Sequence, residues 1–206
     1  TPGVVFSIDD KIAIAQKLNE IGIERIEAGM PAVSPQDEQA IKEISKLGLS
    51  SKIYTFARAM KVDIDKALEC GAQGVIIEVP IGYPKLKTQF GWTWKDVLAK
   101  SAPVINYAKE NGLHAVFFPY DTTRARPDDL ENLCKGIMAE SEPDSIGIVD
   151  TMGCATPEAI KYMVRWVKRM TGLPIEIHTH NDFGMGVATE IAAVTAGAGC
   201  VHSCAN

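Results

Sequence analysis

The chain has 206 residues, 46% of them hydrophobic and 23% charged, with a net charge of −5 at neutral pH. That length and balance predict one soluble globular domain with a sizeable core, spanning residues 1–206. A negative net charge without any Lys/Arg-rich block argues against nucleic acid or an anionic membrane as partner, and no apolar run approaches the roughly 20 residues that span a bilayer.

In chain order, apolar residues at helical spacing (Ile12, Ile14, Ala15, Leu18) predict a helix over 8–21, with Ser7 as its N-cap. Strand 24–28 and helix 34–47 follow, then strand 52–56 and helix 62–70, which Gly71 stops. The alternation continues with strand 74–79, helix 94–111, strand 114–118 and helix 127–140, where Pro127 suits a first turn. Strand 145–150, helix 157–170, strand 174–180, helix 186–196 and a final strand 200–205 complete the series.

A short loop separates each strand from its helix, which is the order of parallel βα units. An open doubly wound sheet satisfies this order too, but the regular period and the polar residues at strand ends favour a (β/α)8 TIM-type barrel. Seven strands and seven helices, beginning with a helix, leave the count short of the first strand and the last helix. The expectation is therefore a piece of a longer enzyme. The five cysteines (70, 134, 154, 200 and 204) are odd in number and scattered, which fits reduced thiols in the cytoplasm.

The strongest local signal is Ile177-His178-Thr179-His180-Asn181-Asp182-Phe183-Gly184. Residues two apart on a strand share a face, so His178 and His180 aim together at a strand's C-terminal end, where two imidazoles suit a divalent metal. Asn181 and Asp182 also read as caps for the following helix. Other strand ends bring Glu27, Arg58, Tyr120, Asp121, Arg124 and Thr151 to the same rim. A carboxylate, a guanidinium and a hydroxyl around a metal would bind a 2-oxo acid. Glu27 and Arg58 could equally be rim salt-bridge residues, and Thr151 a turn residue. His114 and His202 read as structural, and the tryptophans as packing residues.

Together these motifs resemble the metal-dependent barrel superfamily of isopropylmalate, homocitrate and citramalate synthases and hydroxymethylglutaryl-CoA lyase. The matching pieces are Thr1-Pro2-Gly3-Val4, Ile26-Glu27-Ala28-Gly29-Met30-Pro31, Ala57-Arg58-Ala59, Asp150-Thr151-Met152-Gly153-Cys154-Ala155-Thr156-Pro157, and the stretch from His178 to Gly184. The resemblance implies a divalent metal (Mg, Mn or Zn) held by His178 and His180, with Arg58 and Thr151 binding substrate and Glu27, Tyr120 and Asp121 in catalytic positions. An aspartate ligand and a catalytic arginine would belong to an Arg-Asp-Gly-Glu-Gln type motif before Thr1, and a further asparagine ligand to a segment after Asn206.

The Asn181-Asp182 pair is similar to the synthase branch, which condenses an acyl-CoA such as acetyl-CoA with a 2-oxo acid in amino-acid biosynthesis. Pro119-Tyr120-Asp121 is partly lyase-like, because synthases carry Glu-Asp there. A carbon–carbon lyase and an inactive barrel fragment therefore stand as alternatives. A cytoplasmic homodimer is expected of the full-length chain.

Overall fold

A computed structural model describes residues 5–205. The Thr1-Pro2-Gly3-Val4 motif and Asn206 lie outside the described residues. Seven parallel strands form one sheet in the order β1-β2-β3-β4-β5-β6-β7, so each strand pairs with its neighbours in sequence. They are β1 (Arg25–Glu27), β2 (Lys52–Arg58), β3 (Gly74–Pro80), β4 (His114–Tyr120), β5 (Ser145–Asp150), β6 (Ile175–Thr179) and β7 (Cys200–Val201). The long helices are α1 (Ile8–Glu20), α2 (Pro35–Ser45), α3 (Lys61–Glu69), α5 (Trp94–Glu110), α6 (Pro127–Glu140), α7 (Pro157–Thr171) and α8 (Gly186–Ala196), with a one-turn α4 (Tyr83–Lys85) between β3 and α5. Among the described residues, no helix is long and apolar enough to cross a membrane.

The central strands are buried on both faces, as a parallel sheet covered by helices requires. Outward-facing residues such as Ala57, Val75, Ile77, Phe117 and Ile148 join the helices in the main core. Alternate residues on the same strands, Tyr54, Ile76, Val116, Phe118 and Val149, form a separate cluster on the inner face of the curl. This two-sided packing makes the sheet a partial TIM barrel. The curl is steep enough for Arg25 on β1 to reach Glu176 on β6, with Nη1–Oε1 at 2.7 Å.

The expected boundaries hold to within about two residues at most ends, and the N-caps follow simple chemistry. Ser7 forms a reciprocal capping box with Asp10, and Ser34 accepts the Asp37 amide. Two differences have physical causes. Strand 114–118 extends to Tyr120 because the Tyr120 carbonyl accepts the Ile81 amide, so the ladder continues past Pro119. The final strand shrinks from 200–205 to Cys200–Val201, since the edge strand pairs only with β6. The turn after β3, α4 running into a π-turn at Leu86–Phe90, is a feature that periodicity did not signal.

Candidate functional site

The β6 strand end organises the site. His178 and His180 turn inward, whereas Thr179 between them faces α8 and hydrogen-bonds the Gly186 carbonyl. The two imidazole rings lie 5.2 Å apart. His178 is packed edge-on to Phe118 at 5.8 Å and to His202 at 5.5 Å, and its Nδ1 is buried without a hydrogen-bond partner. Burial, with His202 and His180 nearby, pushes His178 down to about 4, so its ring is neutral at physiological pH. A neutral imidazole with an unengaged buried nitrogen is the form that binds a metal.

Beside the pair, a cavity of about 300 Å³ opens between β2 and β6. Phe56, Phe118 and Val149 make its apolar floor, and Thr151, Tyr120, Glu78 and Lys85 its polar wall. A second cavity of about 490 Å³ runs from the same histidines along Asn181 and Asp182 to His202, Ser203 and Cys204. Asn181 Oδ1 accepts the Gly186 amide at 2.8 Å from the preceding loop, but the N-cap of α8 is Met185, so neither Asn181 nor Asp182 takes the cap position expected from sequence. Gly153, at φ 59°, lets the β5–α7 loop press against the His180 backbone, where a Cβ would lie 2.6 Å from the carbonyl oxygen.

The other sequence candidates divide. Tyr120 and Thr151 reach the cavity. Thr151 accepts the Asp121 amide at 2.9 Å, which leaves its hydroxyl proton free to donate. Burial raises the Tyr120 phenol, so it stays protonated. Asp121 is fully buried, in the left-handed region at φ 62°, and takes a bidentate bond from Arg124 at 2.7 Å. Arg58 lies outside the cavity, forked onto buried Asp63 of α3 with both bonds at 2.8 Å. The structure thus realises the rim salt bridge for Arg58.

Glu27 lies across the curl from β6, and its nearest site neighbour is His202. Glu27 Oε1 stands 3.3 Å from His202 Nδ1, a close charge contact without hydrogen-bond alignment, and His202 Nε2 meets Glu176 Oε2 at 3.0 Å. Glu176 also takes bonds from Arg25 and from Ser145, the latter at 2.6 Å. Burial opposes the charge on Glu176, but His202, Ser145 and Arg25 outweigh it and hold the carboxyl at about 2. Burial likewise opposes a charge on His202, yet Cys200, Glu176 and Glu27 bring it up to about 10. Burial raises Glu27, with His202 pulling the other way.

His202 lines the second cavity beside the paired histidines, its ring held between the Glu27 and Glu176 carboxylates. Glu176, Cys200 and His202 offer donor atoms within 4.8 Å of one another. The Glu176 oxygens are already committed to Arg25, Ser145 and His202, so this cluster is a buried ion-pair network rather than a metal cage. Part of it was legible: Glu176 shares the inward parity of His178 and His180, and Arg25 that of Glu27.

A partial TIM barrel with paired histidines at the C-terminal end of a strand defines the class of this molecule. The chain belongs to the HMGL-like family, whose model matches residues 1–206. Over its full length it is 36% identical to a homocitrate synthase of Methanopyrus kandleri, 39% to a putative (R)-citramalate synthase of Archaeoglobus fulgidus and 36% to a 2-isopropylmalate synthase of Methanocaldococcus jannaschii. It covers 52%, 42% and 40% of those proteins, so the chain spans about half the length of the curated relatives it matches. Among solved structures it is similar to the HMG-CoA lyase of Bacillus subtilis, at a TM-score of 0.83 and 16% identity over 97% of this chain and 70% of that one. An HMG-CoA lyase complexed with coenzyme A and 3-methylmalate superposes at 0.80 with 17% identity, covering 97% of this chain and 68% of the lyase. At these identities the likeness shows the fold.

Proposed function

We propose that the complete protein carries out a divalent-metal-dependent, Claisen-type condensation of an acyl-CoA, acetyl-CoA being the expected donor, with a 2-oxo acid. The observation that carries this reading is the neutral, unpartnered His178 beside His180 on the wall of a cavity that Thr151 and Tyr120 also line. Those two imidazoles fit a Mg, Mn or Zn ion as part of its ligand set, the rest lying beyond this pair. When bound, such an ion polarises a carbonyl and so makes its carbon electrophilic.

The chain's own residues supply the rest. The free Thr151 hydroxyl proton is available to a substrate carboxylate, and the protonated Tyr120 phenol donates to a second oxygen. Glu27, its carboxyl raised by burial and facing His202, is the group assigned to take a proton from the acyl-CoA methyl. The carbon left by that proton bonds to the keto carbon, and water then cleaves the thioester, releasing CoA thiol and a hydroxy-dicarboxylic acid. The reverse bond change would describe a lyase. Identities of 36–39% to condensing enzymes, against 16–17% to the solved lyases, favour condensation.

All five cysteines are free, which supports a reduced, cytoplasmic setting, and complete chains are expected to pair as homodimers. The test is release of CoA thiol when the complete protein meets acetyl-CoA, a divalent cation and a panel of 2-oxo acids. Silence with every acid would overturn the condensation reading.

A further inference from the structure

Among the described residues that line the cavity beside the paired histidines, the only carboxyl is that of Glu78 on β3. Glu27 faces His202 instead, and Asp121 is fully buried under its bidentate bond from Arg124. Glu78 shares the inward parity of Ile76, two residues earlier on the strand, so it turns towards the cavity rather than the helices. Its neighbours on the floor, Phe56, Phe118 and Val149, are apolar. A carboxyl in that layer carries a desolvation cost that folding alone does not require. Glu78 is in register with Phe118 on β4, and the Phe118 ring lies 5.8 Å from the His178 ring, which places Phe118 between carboxyl and imidazole on the floor.

Glu78 enters no hydrogen bond or ion pair among the described residues. Burial raises its carboxyl, and the Lys85 ammonium, 4.6 Å from the Tyr120 ring centre, pulls the other way. The carboxyl therefore keeps its proton to higher pH than an exposed glutamate does, which is the state of a proton donor. The titratable groups around it are Lys85 of α4, Tyr120 of β4 and Glu27 of β1, with His178 and His180 on the facing wall. Arg58, in register on β2, is forked onto Asp63.

We propose that Glu78 is a catalytic acid of the condensation, the group that hands a proton to the keto oxygen as the new carbon–carbon bond forms. This deepens the condensation reading and rests on it. The electron pair freed when Glu27 takes the methyl proton forms the bond to the keto carbon. The π pair of the C=O group moves to its oxygen, which takes the Glu78 proton and becomes the hydroxyl. Glu78 is left as carboxylate and Glu27 as carboxylic acid, and one proton exchanged through solvent restores both.

The complete protein is assayed for CoA thiol release with Mn²⁺, acetyl-CoA and, in turn, pyruvate, 3-methyl-2-oxobutanoate and 2-oxoglutarate. Glu78→Gln keeps the shape and loses the proton, so kcat falls by about 10²–10⁴ while KM for the acid holds near the wild-type value. The fall in kcat on the alkaline side, where the wild-type carboxyl loses its proton, is absent from Glu78→Gln, and Glu78→Asp restores part of the rate. Glu78→Leu suits the apolar layer, so it loses kcat to the same extent while its denaturation midpoint is no lower than wild type. Wild-type kcat in Glu78→Gln or Glu78→Leu overturns the assignment and leaves condensation standing. So does a raised KM with kcat unchanged, or a Glu78→Leu midpoint that drops along with kcat. Silence of the wild type with every acid removes both readings.

Discussion

A neutral imidazole surrounded by two other histidines and a phenylalanine, with one ring nitrogen buried and unbonded, carries an unmet polar cost in the protein alone. A bound cation would convert that cost into a coordinate bond, which is why His178 is the most telling single residue. His180 is half exposed at 47% and completes the pair from the solvent side. Replacing either, as His178→Ala or His180→Ala in the complete protein, should weaken divalent-metal binding by more than the 10- to 100-fold typical of losing an outer partner. Competition against a metal-responsive dye checks this, and unchanged affinity in both variants would remove the histidines from the metal site. Thr151 and Asp121 work as a unit at the same scale, because the amide of one holds the hydroxyl of the other in place.

Single elements are held by contacts that tolerate little change. Gly147 on β5 faces inward, and a Cβ there would overlap the Phe118 ring on the cavity floor. Gly147→Ala should cost about 1–3 kcal/mol, as overpacking does, and displace Phe118 towards His178. Chemical denaturation of the complete protein measures the first effect, and a wild-type midpoint would mean that β4 and β5 can separate freely.

Helices α2 and α3 are joined through Glu38, which bonds Lys42 and Lys66 at 2.6 Å each. The two lysines hold the Glu38 carboxyl at about 2, against an ordinary 4.5. Because its folded value is depressed, the stability it adds is present above about pH 4.5 and disappears as pH falls towards 2. Glu38→Gln should therefore lower stability throughout the region above about pH 4.5 and flatten the acid side, so that variant and wild type converge as pH falls towards 2. Thermal melts at stepped pH decide this, and an unchanged acid limb would show the pairs to be solvent-screened.

Across the whole molecule, the sheet curls until its first and last strands share side-chain contacts. Arg25, Glu176, His202 and Glu27 run in alternating charge through the inner face and join residues 151 positions apart in the chain. Removing the cation strands a carboxylate that is only 3% exposed. Arg25→Met should destabilise the protein by about 2 kcal/mol. That is less than the 3–5 expected for a fully buried pair, because Arg25 is 33% exposed and Glu176 keeps Ser145 and His202. A shift in denaturation midpoint tests it, and a neutral result would mean that Ser145 and His202 suffice to hold Glu176.

Much of this was legible in the amino-acid order. Helical and strand periods, Ser7 and Ser34 as caps and Gly71 as a stop are local, and they determined which elements form and in what succession. Parity along β6 placed His178 and His180 on one face, since a strand's alternation is set by its own backbone. Which strand-end groups are spent on one another was decided only by tertiary structure. Asp63 and Arg124 neutralise Arg58 and Asp121, while Lys85 sits over the Tyr120 ring at the cavity. His202 meets Glu176 and Glu27 because curvature carries β7 beside β6 and towards β1, a contact no local pattern encodes.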